Sequence, residues 1–186
     1  LHPVAHSFPT RRSSDLTSDV EKYVPPKKGK NHVLRVIREL LYFKPQKKST
    51  DIAEAFKFLN RVQTKRAVVF VVSDFYSSNF DTPLRIANRR HDLIAVSLSD
   101  PREMHLPNIG LIELEDPETG EKVLADTANE SFRTVYSSKN RQRLEMLSEY
   151  FRANGIDEIP ISTETDYIEP LVKFFKKRER ILRSGM

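Results

Sequence analysis

The sequence contains no cysteine and no tryptophan, only 5 glycines, and no apolar run long enough to cross a bilayer. The absence of cysteine excludes disulfides and thiolate metal sites, and it is compatible with a reducing compartment. The few glycines form no phosphate-binding loop and no Gly-x-Ser-x-Gly elbow, and the histidines show no metal-ligand spacing. Because these usual signs of catalysis are missing, we predict that the protein is not an enzyme.

Residues 1–16 differ from the rest of the chain in having no periodic pattern. The stretch SFPTRRSSDL, Ser7 to Leu16, has neither the apolar core of a signal peptide nor the alternation of a strand. When it is reverse-translated, this stretch resembles one reading frame of a common short-read sequencing adapter. We therefore interpret residues 1–16 as a non-native tail, and a natural disordered tail is the alternative. On this interpretation the native sequence, residues 17–186, was entered part-way through a longer gene.

The chain is mildly basic, with a formal net charge of +5 at pH 7. The excess of positive charge lies largely in residues 27–30 and residues 173–183. The second segment begins KFFKKRER and places basic residues beside aromatic ones, which suits nucleic-acid binding. Cations also favour the C-terminus of a helix, so a solvated helix end is the other interpretation.

Hydrophobic periodicity indicates an α/β fold. Helical spacing predicts helices over 31–41, 52–62, 82–90, 131–154 and 167–183, the third of them with Asp81 as its N-cap. Apolar runs predict strands over 67–72, 93–98 and 158–162, and segments 109–114 and 122–125 flank a turn sequence typical of a β-hairpin. Residues 67–72 are all apolar, as in a strand that is buried on both faces of a parallel sheet. This order of elements favours an α/β domain with a parallel sheet.

Two polar segments should lie at the same edge of this sheet. Ser49-Thr50-Asp51 precedes the second predicted helix, and Ser73-Asp74 follows the first predicted strand. In an α/β sheet with right-handed connections, helix starts and strand ends meet at the carboxyl edge, where ligands bind. Hydroxyl and carboxylate oxygens are ligands that Mg²⁺ and Ca²⁺ prefer. Considered alone, such residues are more often capping and loop residues, so both interpretations stay open at this point.

Four segments in order carry a resemblance to a known family: VEKYVPPKKGKNHVLRVIRELL, STDIAEAFKFLNRV, AVVFVVSDF and NRRHDLIAVSLSDPRE. Together they resemble the C-terminal part of bacterial proteins of domain-of-unknown-function family 58, over about residues 17–183. The domain of that family is similar to the von Willebrand factor type A domain. The resemblance implies a three-layer, Rossmann-like domain with a parallel sheet and a β-hairpin insertion, from which the N-terminal strands are missing.

Type A domains carry a metal-ion-dependent adhesion site, or MIDAS. It is built from an Asp-x-Ser-x-Ser loop, a threonine from a second loop and an aspartate from a third. The resemblance therefore implies that Thr50 and Asp74 are metal ligands, with Mg²⁺, Mn²⁺ or Ca²⁺ as the cofactor of the full-length parent. No Asp-x-Ser-x-Ser sequence follows an apolar strand in this chain.

The missing loop has a structural consequence. In the family it would precede residue 17, on a strand that lies beside the one predicted at 67–72. We therefore expect that apolar strand to have an uncovered edge, which favours aggregation.

The function that the resemblance implies is metal-dependent docking of another protein. The partner would be a MoxR-type AAA+ ATPase, or another protein that supplies a carboxylate, in a chaperone-like role in complex maturation. The resemblance also implies a cytoplasmic bacterial protein. We expect no nucleic-acid partner and, for this fragment, no membrane partner. Two alternatives remain from the residues themselves: nucleic-acid binding by the basic C-terminal helix, and a hydrolase that uses Asp74 with a metal.

We predict that this chain alone binds Mg²⁺ and Mn²⁺ weakly. Thr50 and Asp74 offer few ligands, and Mg²⁺ dehydrates reluctantly and requires nearly octahedral coordination. Isothermal titration calorimetry of the chain with either ion should show no binding in the micromolar range. A micromolar dissociation constant would contradict this prediction.

Overall fold

The computed structural model describes residues 23–25, 27–42, 52–76, 79–115 and 121–184. The chain divides into two compact units. Among the described residues, unit 1 comprises 23–25, 27–42, 52–69 and 79–92, and unit 2 comprises 70–76, 93–115 and 121–184.

Unit 1 is mainly helical. It contains α1 (Lys30–Tyr42), α2 (Ile52–Val62) and α3 (Asp81–Arg90). Helix α2 packs against α3, and the buried side chains of the two helices recur at helical spacing: Ile52, Ala55, Phe56, Leu59, Leu84 and Ala87. Burial of this apolar stripe, rather than intrinsic helix propensity, is what stabilises helices of this length.

The described residues contain a three-stranded sheet, most of which belongs to unit 2. Strand β2 (Asp92–Ser99) lies between β1 (Val68–Ser73) and β5 (Asp157–Ser162). Strands β2 and β5 are parallel, with Val96 opposite Ile159. The side chains of β2 are buried from Leu93 to Ser97, as expected for a central strand that is covered on both faces.

The prediction that β1 is buried on both faces is wrong. Most of its side chains are half-buried, and that of Val72 is 45% exposed. The reason is position, because β1 is an edge strand of the described sheet. Only its final residue, Ser73, is buried.

The helices of unit 2 cover β5. Helices α5 (Glu130–Ala153) and α6 (Ile168–Ser184) both contact this strand, and the short helix α4 (Pro101–Met104) contacts α5. The side chain of Asn129 accepts a hydrogen bond from the backbone N–H of Phe132 and so caps the start of α5. Gly155, with φ of +63°, follows its last turn, as predicted from the sequence.

A β-hairpin forms between β3 (Leu111–Glu115) and β4 (Lys122–Asp126), and this prediction is confirmed. Its turn lies outside the described residues. Thr127 fixes the base of the hairpin, because its fully buried hydroxyl donates to the Gly110 carbonyl at 2.6 Å and accepts from the Ile109 N–H at 3.1 Å.

Two helix starts differ from the sequence prediction. Asp81 is not an N-cap but the first residue of α3, and the preceding Phe80 makes no side-chain capping hydrogen bond. Asp81 lies in the first turn of α3, where its negative charge interacts favourably with the positive end of the helix dipole. Helix α4 was not predicted, although Asp100 caps it by accepting from the Arg102 N–H at 2.8 Å and Pro101 occupies its first turn.

The described residues therefore form an α/β fold with a parallel three-stranded sheet. The finer assignment to the type A architecture stays a prediction. None of the helices in the described ranges has both the length and the apolar character that crossing a membrane requires.

His91, between α3 and β2, is a buried titratable group. Its side chain is 2% exposed, and neither ring nitrogen has a hydrogen-bond partner among the described residues. Burial lowers the pKa of His91 below its ordinary value, and the positive charge of Arg90 lowers it further. The folded protein therefore favours neutral His91.

Stability should fall as the pH is lowered through about 6.5, the ordinary histidine pKa. Below that pH the unfolded chain binds a proton at His91 that the folded chain resists binding, so the free energy of unfolding rises with pH in this window. Urea denaturation at a series of pH values should show this slope in the wild type and a flatter one in His91→Phe. His105→Phe, at an exposed histidine, is the matched control and should keep the wild-type slope. An unchanged slope in His91→Phe would contradict the assignment.

Candidate functional site at the carboxyl end of β1

Strand β1 ends in a tight turn formed by Ser73, Asp74, Phe75 and Tyr76, called here the Ser73–Tyr76 turn. Two side chains in it bond to the backbone two residues ahead. The Ser73 Oγ accepts from the Phe75 N–H at 3.0 Å, and the Asp74 Oδ1 accepts from the Tyr76 N–H at 3.3 Å. Serine and aspartate favour such turns because their short side chains replace a backbone acceptor.

Phe75 adopts an unusual backbone conformation within this turn. Its φ is +54°, in the left-handed region that a bulky side chain rarely occupies. Its ring is buried and contacts the ring of Phe151 on α5 edge-on, with the two centroids 5.1 Å apart. Backbone strain of about 1 to 3 kcal/mol persists only where the surroundings fix it, and here burial of the aromatic ring offsets it.

Arg143 provides a second contact between α5 and the turn. Its Nη1 donates to the backbone carbonyl of Asp74 at 3.1 Å. Its guanidinium carbon lies 3.7 Å from the centroid of the Tyr76 ring, a close cation–π contact. Helix α5 therefore holds the Ser73–Tyr76 turn at the buried Phe75 and at the exposed Tyr76.

Burial and nearby charges shift the pKa of Tyr76 in opposite directions. Burial raises the pKa of Tyr76 above its ordinary value, the positive charge of Arg143 lowers it in part, and Glu103 raises it. The phenol therefore stays protonated around neutral pH, as an uncharged partner for the guanidinium.

The carboxylate of Asp74 is exposed at the carboxyl end of β1. Its Oδ1 is held by the Tyr76 N–H, with the Ser73 hydroxyl 3.5 Å away. Within the described residues its Oδ2 accepts no hydrogen bond, so one anionic oxygen remains available to a ligand. Chemically, this arrangement presents a single oriented carboxylate that can bind a cation.

The ends of the other two strands are occupied by structural bonds. Asp100 follows β2, caps α4 and also accepts from the Thr163 hydroxyl at 3.0 Å. Thr163 follows β5, and its N–H donates to the Ser99 carbonyl at 3.0 Å. Asp74 therefore differs from Asp100, whose two carboxylate oxygens are both engaged within unit 2.

A protein-family model matches residues 13–146 of this sequence, which is more than half of the chain. Its description is "Protein of unknown function DUF58". The chain belongs to the DUF58 family.

Mycobacterial proteins are among the relatives of this DUF58 chain. The uncharacterized protein MAV169 of Mycobacterium avium is 29% identical over 136 residues, which are 73% of this chain and 80% of that protein. The uncharacterized proteins Rv1480 of Mycobacterium tuberculosis and Mb1516 of Mycobacterium bovis are each 26% identical over 165 residues. That match covers 87% of this chain and 52% of each relative, so the chain spans about half of their length. No solved structure matches the chain.

Of the two predicted metal ligands of this DUF58 chain, Asp74 lies at the carboxyl end of a strand, as expected. Thr50 lies outside the described residues, so the expected proximity of the two stays a prediction. Over the ranges that the structure describes, no group of three or more His, Asp or Glu side chains could hold a metal ion. Asp74 fits the role of one ligand, but the described residues do not form a complete metal site.

Sequence reasoning missed Tyr76 and Arg143. Arg143 lies 69 residues from Asp74 in the chain, and no local pattern predicts that contact. One signal was available, because Arg143, Leu147 and Phe151 recur every four residues and thus share a face of α5. Leu147 and Phe151 are buried, so that face is the inward one and a cation on it was a candidate for a specific role.

We predict that Phe75→Ala destabilises the protein by about 3 to 5 kcal/mol, the usual cost of removing a buried aromatic ring. The matched control is Phe132→Ala on α5, because the Phe132 side chain is 36% exposed and its loss should cost less. Urea denaturation of both variants measures the difference. Equal losses of unfolding free energy would contradict the packing role of Phe75.

Proposed function

We propose that this DUF58 protein is a non-enzymatic docking module, in which Asp74 takes part in metal-dependent binding of another protein. The supporting observation is the exposed Asp74 carboxylate, which is oriented by the Ser73–Tyr76 turn and has a free Oδ2 within the described residues. The carboxyl edge of a parallel sheet is the place where ligands bind in open α/β folds. A carboxylate there suits Mg²⁺, Mn²⁺ or Ca²⁺.

Metal binding on this proposal needs ligands from more than one source. Asp74 and Thr50 would supply two of them, and the Asp-x-Ser-x-Ser loop, which this sequence does not contain, would supply others. A carboxylate from the partner would complete the shell across the interface. Because a single described carboxylate leaves most of an octahedral shell unfilled, the ion would join two proteins rather than remain on one.

The proposed partner is a MoxR-type AAA+ ATPase, and the proposed role is chaperone-like maturation of a complex in the bacterial cytoplasm. This part of the proposal rests on the resemblance to the family, whose genes often occur beside those of such ATPases. Docking requires no catalytic groups, in agreement with the prediction that the protein is not an enzyme.

Nucleic-acid binding by the basic helix α6 is the less favoured function. Several of its basic side chains already pair with carboxylates: Lys173 with Glu169 at 2.7 Å, Arg178 with Asp157 at 3.0 Å, and Arg183 with Glu179 at 2.6 Å. These pairs reduce the positive charge that phosphates would meet. A hydrolase function has still less support, because the Ser73–Tyr76 turn brings no general base or activated nucleophile to Asp74.

We predict that Asp74→Ala abolishes metal-dependent association in a full-length DUF58 parent that carries both this segment and the Asp-x-Ser-x-Ser loop. The loss should be at least about tenfold in affinity for the MoxR-type ATPase, since a charged ligand of the ion disappears. A pull-down in Mg²⁺, and the same pull-down in EDTA, measure it. The matched control is Glu164→Ala, because Glu164 is an exposed acid after β5. Unchanged Mg²⁺-dependent binding by Asp74→Ala would contradict the proposal.

A further inference from the structure

Arg143 joins helix α5 to the Ser73–Tyr76 turn at two points. One is the hydrogen bond from its Nη1 to the Asp74 carbonyl at 3.1 Å, and the other is the cation–π contact of its guanidinium carbon, 3.7 Å from the centroid of the Tyr76 ring. A planar guanidinium suits both contacts at once, because its N–H groups point outward while its face can lie against a ring. We propose that Arg143 is a positioning residue that fixes the orientation of the Asp74 carboxylate.

The two contacts lie on either side of the residue that needs support. Phe75, between Asp74 and Tyr76, has the left-handed φ of +54°. The hydrogen bonds within the turn use the N–H groups of Phe75 and Tyr76, and the position of the Tyr76 N–H depends on the φ of Phe75. If the backbone relaxed to a negative φ, the Tyr76 N–H would leave the Asp74 Oδ1 and the carboxylate would be free to rotate. By holding the Asp74 carbonyl and the Tyr76 ring, Arg143 opposes this relaxation.

The position of Arg143 is unfavourable for stability alone. Its Nε is buried and has no hydrogen-bond partner among the described residues. A buried donor without an acceptor costs free energy, and such groups in folded proteins call for an explanation. A residue that only filled space beside Leu147 and Phe151 would be apolar. The combination of an unsatisfied donor and a strained Phe75 at one turn is typical of a site where geometry is maintained at the expense of stability.

The inference rests on the proposed function, because orientation of Asp74 matters only if the carboxylate binds something. It goes further than that function because it states that a side chain on α5, far from Asp74 in the sequence, fixes the geometry of the site. The inference also predicts that the shape of the Arg143 side chain matters in addition to its charge. Arg143→Lys tests this, because lysine retains the charge but lacks the planar guanidinium.

The first test measures the turn in the chain itself, without metal. Amide hydrogen exchange by NMR should show the Phe75 and Tyr76 N–H groups exchanging at least about tenfold faster in Arg143→Met than in the wild type, because their acceptors become mobile. Arg143→Lys should show the same acceleration. The control Arg141→Met removes an exposed arginine from the same helix and should leave both rates unchanged.

Three outcomes of this test overturn the inference. The first is an unchanged exchange rate at Phe75 and Tyr76 in Arg143→Met. The second is an equal acceleration at the amides of β2, which would mean that Arg143 only stabilises the fold. The third is full recovery of wild-type rates by Arg143→Lys, which would assign the effect to charge.

The second test measures docking in a full-length DUF58 parent with the Asp-x-Ser-x-Ser loop. Arg143→Met should weaken Mg²⁺-dependent association with the MoxR-type ATPase by about tenfold, and Arg141→Met should not. If the turn loosens but docking is unchanged, the positioning role is overturned. If the wild-type parent shows no Mg²⁺-dependent docking, the proposed function fails, and the exchange rates alone decide whether Arg143 holds the turn.

Discussion

Strand β2 has a neighbour on each side, and its side chains from Leu93 to Val96 are at most 5% exposed. This burial is the constraint on which unit 2 depends, because a strand with two apolar faces is stable only when both faces and both edges are covered. It sets β1 and β5 on either side, and the parallel pairing with β5 brings their carboxyl ends to one edge. Asp100 and Thr163 bond to each other there, which ties the end of β2 to the end of β5.

The Ser73–Tyr76 turn, at the carboxyl end of β1, depends on contacts with a helix rather than with a neighbouring strand. Its conformation is not the lowest in energy for its own residues, since Phe75 has a positive φ. It is maintained by α5, through the ring of Phe151 and the guanidinium of Arg143. The orientation of Asp74 is thus a tertiary property, and the same four residues in an isolated peptide would not retain it.

The elements that were predictable are those whose pattern is local. The helical spacing from Ile52 to Leu59 predicts the buried face of α2, and the apolar run of β2 predicts a central strand. The position of Asp74 after a strand was predictable for the same reason. Local patterns do not reveal which neighbours a strand has, so the apolar run of β1 alone predicted burial on both faces, whereas the uncovered edge was expected only from the family resemblance.

Capping and long-range contacts account for the other differences. Asp81 is a favourable N-cap residue by preference, but capping preferences amount to only about 1 kcal/mol and the surrounding chain decides where α3 begins. The bond between Arg143 and Asp74 joins residues that no periodicity relates. The predictable part of the candidate site is therefore the Asp74 carboxylate, and the unpredictable part is the scaffold that orients this carboxylate.

Helix α5 connects two separate parts of unit 2. It contains 24 residues and is therefore about 36 Å long, a rigid rod on the scale of a small domain. Just before its first turn, Thr127 bonds to the base of the hairpin, and towards its other end Arg143 and Phe151 contact the Ser73–Tyr76 turn. Arg133 on α5 also donates to the Thr127 carbonyl, so the base of the hairpin and the Ser73–Tyr76 turn are both held by one continuous helix.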